Sequence, residues 1–136
     1  MPLIDDFEAR FLLGVPAMDR THREFVDLVN LMAEAGNATF AYLFADLVNH
    51  THAHFANEDV LMRQTGFPAS AEHRAEHARV LGELDALRQR LAGGRIVLAR
   101  AYVLEQLPAW FAQHAVTMDS ALAAHVKAAV KVKAPG

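Results

Sequence analysis

Histidines at helical spacing constrain this chain more than any other feature of its sequence. Eight histidines occur in 136 residues, and His73 is followed four residues later by His77. His54 is followed at the same spacing by a carboxylate, Glu58. Residues four apart lie on one face of an α-helix, so each pair can present two metal-ligand side chains to one site.

The rest of the sequence predicts an all-α fold. Hydrophobic residues make up 53% of the chain, which has only 7 glycines and 5 prolines, and the apolar positions recur at helical spacing. We expect helices at about residues 19–35, 40–65, 71–91 and 97–126. Four helices joined mostly by short links favour an antiparallel up-down-up-down four-helix bundle.

We expect one domain over residues 1–136, with the bundle at about residues 18–126. Residues 1–17 should form an extended N-terminal arm, because Gly14 and Pro16 disfavour a helix there. Pro108 lies inside the fourth helix and removes one backbone donor, which predicts a kink or a break. The tail after the fourth helix is expected to fray.

Three further polar residues extend the two pairs to a set of seven. His22 lies near the start of the first helix, while His114 and Asp119 lie five residues apart in the fourth. Five residues correspond to about 140° of helical rotation. Either the carboxylate reaches in from the flank of the helix, or the helix is locally loosened, for example by a π-type bulge. In an antiparallel bundle all seven fall at one level: His22, His54, Glu58, His73, His77, His114 and Asp119.

Five imidazoles and two carboxylates suit a site for two iron ions. Imidazole binds iron well, and a carboxylate can bridge two cations. The chain contains no cysteine, which excludes iron–sulfur clusters and thiolate zinc sites. Without metal, so many polar groups inside one bundle would be costly.

At this point the sequence resembles the hemerythrin family, specifically its single-domain bacterial members. The resemblance spans about residues 4–125. The matching motifs are Gly14-Val15 with Asp19-x-x-His22, His54-Phe55-x-x-Glu58 with Leu61-Met62, Gly66-Phe67-Pro68, His73-x-x-x-His77, and Trp110-x-x-x-His114 with Asp119. The sequence departs from the family at Thr21, where glutamine is usual, and at His50, where an aromatic residue is common.

The resemblance implies a non-haem di-iron centre that binds dioxygen reversibly. It implies three histidine ligands for one iron: His73, His77 and His114. It implies two histidine ligands for the second iron: His22 and His54. It also implies that Glu58 and Asp119 bridge the two ions together with an oxo or hydroxo group. O2 would then bind at the open position of the iron that has two histidines.

Residues close in sequence to the ligands are candidates for the surroundings of bound O2. Phe25, Phe55 and Trp110 can line an apolar pocket, although a tryptophan in the position of Trp110 more often belongs to the core packing. His50 shares a helix face with His54, and we interpret it as a pocket histidine or as a partly buried histidine without a role in the site. His52 and His125 are expected to face solvent.

The physiological role is open between several functions. The chain lacks the Glu-x-x-His motif of carboxylate-rich di-iron enzymes, and this favours an O2 carrier over an oxygenase. The alternatives are sensing of O2, NO or redox state through a separate partner, an enzyme that consumes peroxide or NO, and storage of zinc or iron.

Charge and hydropathy exclude several classes of partner. The formal net charge is -3 and no segment carries a basic stripe, so a nucleic-acid partner is not expected. No apolar run approaches the roughly 18 residues of a membrane span, and the N-terminus lacks a signal-peptide core. We expect a cytoplasmic monomer whose ligand is O2.

Overall fold

The computed structural model describes residues 3–133, and the side chains of residues 3–130. Within these residues the chain forms five helices and no strand: α1 (Phe7–Phe11), α2 (Pro16–Glu34), α3 (Asn37–Thr65), α4 (Ser70–Ala92) and α5 (residues 97–133). The four long helices α2 to α5 form a bundle, which confirms the predicted all-α fold.

Short connections make successive helices antiparallel. Residues 35–36 join α2 to α3, and residues 66–69 join α3 to α4. Gly66 ends α3 with a positive φ of 62°, a conformation that suits glycine because it has no Cβ. The following amide, that of Phe67, donates to the carbonyl of Met62 at 3.0 Å and closes the helix end. This tight turn keeps the end of α3 beside the start of α4.

The N-terminal arm is not extended throughout, contrary to the prediction. Phe7 and Phe11 lie four residues apart, so a single turn of helix, α1, directs both rings into the core. The Phe11 ring packs 5.1 Å from the ring of Phe111. The side-chain amide of Asn30 further holds the arm by hydrogen bonds to both backbone groups of Ile4.

Pro16 begins α2 instead of preventing it. Proline is tolerated in the first turn of a helix because its missing N–H has no partner there in any case. The Asp19 carboxylate accepts hydrogen bonds from the amides of Leu13 and Gly14, at 2.8 and 3.1 Å. The loop before α2 is therefore tied to the first turns of the helix that follows it.

The fourth long helix, α5, is continuous and neither breaks at Pro108 nor frays after residue 126. A π-type turn at Tyr102–Gln106 precedes the proline, and such a turn gives room to the carbonyls that the ring would otherwise meet. The helix continues to Lys133, and Lys127 donates to the carbonyl of Leu13 at 2.8 Å. The remaining predicted tail, residues 134–136, lies outside the described residues.

Two apolar clusters lie on either side of the level where the seven polar residues meet. The larger cluster contains Phe25, Phe44 and Leu84 and fills most of the bundle. The smaller one closes the end of the bundle and contains Met18, Met62 and Leu122. The seven polar side chains therefore lie between two apolar layers, where an unpaired polar group is costly.

Candidate metal centre

The structure brings all seven predicted ligand side chains together inside the bundle. Helix α2 contributes one, α3 and α4 contribute two each by four-residue spacing, and α5 contributes two. Their exposed fractions lie between 0% and 6% of the residue surface: His22, His54, Glu58, His73, His77, His114 and Asp119. Burial of so many polar residues at one place requires a partner for each of them.

A π-type turn in α5 brings His114 and Asp119 to the same face of that helix. The turn comprises Ala115–Asp119, and its wider winding lets residues five apart share a direction. Nε2 of His114 lies 3.1 Å from Oδ1 of Asp119. Of the two arrangements expected from the sequence, the structure has the loosened helix.

The ligand-type atoms form two groups that share Glu58. One group contains three histidines and both carboxylates: Glu58, His73, His77, His114 and Asp119. The other contains His22, His54 and Glu58. Within each group the ligand atoms lie within 4.8 Å of one another. We call them the three-histidine half and the two-histidine half of the site.

The Glu58 carboxylate directs one oxygen toward each half. Its Oε1 atom lies 3.1 Å from Nε2 of His73 and 3.2 Å from Nε2 of His77. Its Oε2 atom contacts Nε2 of His54 and lies 3.6 Å from Nε2 of His22. Glu58 therefore stands between the halves, in the position of a carboxylate that could bridge two cations.

The Asp119 carboxylate is oriented in the same way. Its Oδ1 atom lies 3.2 Å from Nε2 of His73 and 3.1 Å from Nε2 of His114. Its Oδ2 atom lies 3.1 Å from Nε2 of His22. The three-histidine half thus offers three nitrogens and two oxygens. The two-histidine half offers two nitrogens and one oxygen of Glu58, and Oδ2 of Asp119 beside His22 adds a second oxygen.

Several of these buried atoms lack a hydrogen bond from any described protein group. They include both carboxylate oxygens of Asp119 and both ring nitrogens of His22 and of His114. Nitrogens and oxygens converge at about 3.1 Å, yet without the alignment that a hydrogen bond requires. Lone pairs directed at a common space, inside an apolar core, fit metal coordination by nitrogen and oxygen donors.

Without metal, protons compensate part of the negative charge of the site. Burial lowers the pKa of His22, but contacts with Asp119 and Glu58 outweigh it and raise this pKa to about 9. The same competition raises the pKa of His73 to about 9. Burial raises the pKa of Glu58, whereas the neighbouring His54 and further histidines hold it well below its usual value. Cations that bound here would displace the imidazole protons.

Comparison with known proteins identifies the family of the chain. The family model for the hemerythrin HHE cation binding domain matches residues 13–126. The chain belongs to the hemerythrin family. A bacteriohemerythrin of Ralstonia nicotianae is 41% identical over 88% of this chain and 85% of its own length. A myohemerythrin of Riftia pachyptila is 26% identical over 71% of this chain and 79% of its own.

The fold of the chain also matches a solved structure. A wild-type hemerythrin crystal structure superposes with a TM-score of 0.83 at 21% identity, covering 91% of this chain and 98% of the other. At this level of identity the match concerns the fold alone. None of the helices in the described part of the chain combines the length and the apolar character needed to span a bilayer.

Of the four residues expected around bound O2, two lie against the three-histidine half of the hemerythrin site. The ring of Phe55 stacks on the ring of His77, with centroids 3.7 Å apart. The indole of Trp110 stacks on the ring of His114 at 4.6 Å. Neither ring stacks on an imidazole of the two-histidine half, where the O2 pocket was expected.

A phenylalanine that the sequence reasoning missed separates Phe25 from the site. Phe111 packs edge-on against His22 at 5.5 Å, and Phe25 stacks on the other side of Phe111 at 4.9 Å. Phe111 lies three residues before His114 and so shares its helix face. That spacing was a signal that could have identified it.

The remaining histidines lie outside the cluster. His50 is partly buried. Its Nε2 lies 3.5 Å from the carboxylate of Glu24, and its ring meets the ring of His54 edge-on, with centroids 6.2 Å apart, so it lies between the cluster and the bundle surface. His52 is exposed as expected and pairs with Asp85 at 3.1 Å. The prediction for His125 was wrong: it is partly buried, and its Nε2 lies 2.6 Å from the carbonyl oxygen of Thr65.

A surface recess reaches the two-histidine half between α2 and α3. Its volume is about 270 Å³. Ala17, Met18 and Thr21 line one wall, Asn57 belongs to the other, and the recess extends to His54 and Glu58. A small molecule can approach the two-histidine half along this recess. Two further recesses, of about 330 and 310 Å³, are lined by His77 and by His114 of the three-histidine half.

Proposed function

We propose that the chain binds O2 reversibly at a non-haem pair of iron ions held by the seven buried side chains. The observation that carries the proposal is the orientation of Glu58 and Asp119, each with one oxygen toward either half. Membership of a family described as cation binding supports it. A bridging oxo or hydroxo group would complete the centre.

The donor set favours a transition metal such as iron over magnesium and calcium. Imidazole nitrogens suit iron, whereas magnesium and calcium prefer sites made entirely of oxygens. When bound in the ferrous form, an iron pair supplies two electrons that O2 takes up on binding and returns on release. The two carboxylates compensate part of the cationic charge inside the apolar core.

The unequal halves give the protein one place for O2. The two-histidine half has one imidazole fewer, and the recess beside Thr21 and Asn57 leads toward its ligand His54. On the inner side, Phe111 and Phe25 exclude water from the space beside His22. An apolar wall keeps protons away from a bound ligand, which favours release of O2 over its reduction.

The proposal is tested by spectroscopy of the iron-loaded protein. The ferrous protein should develop a visible absorption band when O2 is added, and the band should fade under argon with recovery of Fe(II). Metal analysis should give two irons per chain. Absence of the band, or irreversible oxidation on first exposure to O2, would contradict reversible binding.

A pair of adjacent carboxylates provides a matched control for the metal site. Glu58→Gln removes the charge of a proposed bridge and should reduce the iron content to at most one per chain. Asp59→Asn makes the same change one residue later, at a side chain outside the cluster that lies 3.7 Å from Arg74. This variant should keep two irons per chain. Equal iron content in both variants would argue against Glu58 as a bridge.

The names of the relatives fit a binding protein rather than an enzyme. The chain matches bacteriohemerythrins and a myohemerythrin, and none of these is the name of an enzyme. Reversible O2 binding is also the first step of a sensor. Recovery of a stable signalling partner with the O2-bound protein, but not with the O2-free protein, would assign that role.

A further inference from the structure

Two imidazole rings of the three-histidine half lie flat against aromatic rings. The planes of Phe55 and His77 deviate by 5°, with centroids 3.7 Å apart. The planes of Trp110 and His114 deviate by 20°, with centroids 4.6 Å apart. A flat contact of this kind restricts rotation of the imidazole about its bond to Cβ, because any rotation would bring the two rings into collision.

The rings of the two-histidine half are packed differently. His22 meets the edge of Phe111 at 86°, and His54 is tilted by 55° against Phe55. Among the described residues, neither imidazole lies parallel to an aromatic ring within stacking distance. The two halves of the site therefore differ in how firmly their ligands are held.

Contacts on both sides of Trp110 fix its own position. The indole packs against the large apolar cluster, and its Nε1 donates to Oε1 of Glu76 at 2.6 Å. Arg79 donates to the same carboxylate at 2.7 Å and to Glu83 at 2.8 Å. A tryptophan packed on one side and hydrogen-bonded at its polar tip has little rotational freedom.

Stacking by Trp110 takes the place of a hydrogen bond to His114. A histidine that binds a metal usually donates its second ring N–H to a protein acceptor, and that bond sets the ring angle. Nδ1 of His114 is buried and has no hydrogen-bond partner among the described protein groups. The ring angle of His114 is therefore set by the flat contact with Trp110.

We propose that Trp110 is a positioning residue for His114 and that the three-histidine half takes up the first metal ion. This inference rests on the proposed two-metal centre. A site whose ligands are already oriented loses less conformational entropy on binding. The three-histidine half has both this advantage and one donor more, so the second ion enters only after the first has bound.

Trp110 is the only tryptophan of the chain and stacks on His114, so a metal ion that binds beside His114 should quench its fluorescence strongly. The test titrates the metal-free protein with Co(II), which prefers the same nitrogen and oxygen donors. Quenching of the Trp110 fluorescence should be complete after one equivalent. The visible absorption of bound Co(II) should continue to rise until two equivalents are present.

Two variants separate positioning from general stability. Trp110→Leu removes the flat contact and should weaken binding of the first Co(II) by roughly tenfold, the size of effect that loss of a ligand-orienting partner produces. Trp110→Phe keeps a ring over His114 and should restore most of the affinity. Phe44→Leu removes a buried ring in the first half of α3, before its ligands His54 and Glu58. This variant should leave the affinity for the first Co(II) unchanged.

Each outcome decides the inference. The inference is overturned if quenching continues linearly to two equivalents of Co(II). It is also overturned if Trp110→Leu binds the first Co(II) with unchanged affinity. In both cases the proposed two-metal centre is unaffected. A loss of affinity in Phe44→Leu as large as in Trp110→Leu also overturns it, because core loosening would then be the cause. Failure of the unmodified chain to bind two equivalents of Co(II) overturns the proposed centre itself.

Discussion

At the scale of residues, the environment of a polar side chain decides its chemical properties. His52 pairs with Asp85 on the surface, and such an exposed pair contributes little to stability. His22 contacts the equally buried Asp119, and this raises its pKa to about 9 in spite of the cost of burial. The same residue type thus has a different environment and a different chemical behaviour in each place.

Tyr102 provides a prediction on pH dependence. Burial raises the pKa of Tyr102 above its usual value of 10.0, and its hydrogen bond to Glu83 at 2.9 Å raises it further. Its contribution to stability is therefore complete below pH 10 and is lost as the pH rises through the folded-state pKa. In the Tyr42→Phe variant Tyr102 is the only tyrosine. Its tyrosinate absorbance should appear at a higher pH than that of free tyrosine. Coincident titration curves would contradict the prediction.

At the scale of elements, α5 shows how local helix geometry places a ligand. A regular helix would leave His114 and Asp119 about 140° apart, and the π-type turn at Ala115–Asp119 removes that difference. The turn costs some regular backbone hydrogen bonding. Its presence in the middle of a buried helix is typical of a functional site.

Two glycines form a matched test of helix geometry. Gly66 ends α3 at a φ of 62°, so Gly66→Ala should destabilise the protein by about 1 kcal/mol. Gly82 lies inside α4, and a Cβ there would meet nothing within 4 Å. Gly82→Ala should therefore stabilise the protein by up to about 1 kcal/mol. Urea unfolding of both variants measures the changes, and the same sign in both would disagree with these assignments.

At the scale of the whole molecule, the polar cluster divides the core into two apolar parts. The bundle buries seven ligand-type side chains between clusters that contain Leu84 on one side and Leu122 on the other. Burial without partners is costly, so the metal-free bundle carries an energetic penalty. Bound metal would remove that penalty and make the fold depend on its cofactor.

Removal of the metal should therefore lower the melting temperature. A ligand present at 100 times its Kd stabilises the folded state by about 2.7 kcal/mol, which corresponds to roughly 10 °C for a domain of this size. Calorimetry of the iron-loaded and the chelator-treated protein measures the difference. Added Mg²⁺ should not restore stability, since it prefers sites made of oxygens. Equal melting temperatures would show that the cluster is stable without metal.

The local pattern of the sequence was sufficient for much of the fold and for the candidate ligands. Four-residue spacing placed His54 with Glu58 and His73 with His77. The five-residue spacing on α5 left two possibilities, a carboxylate reaching in from the flank or a widened turn, and the structure has the widened turn. These predictions depend only on the geometry of one helix at a time. Short links then left few ways to arrange four helices, so a common level for the polar residues could be predicted too.

Contacts between helices decided what the sequence could not. Pro16 and Phe11 allowed helix where an extended arm was expected, because packing against the core outweighs weak local preferences. The stacking of Trp110 on His114 depends on the rotation of each helix about its axis. So does the position of His50 between Glu24 and His54. A sequence specifies which residues share one helix face, whereas the packing of all the helices determines what each face meets.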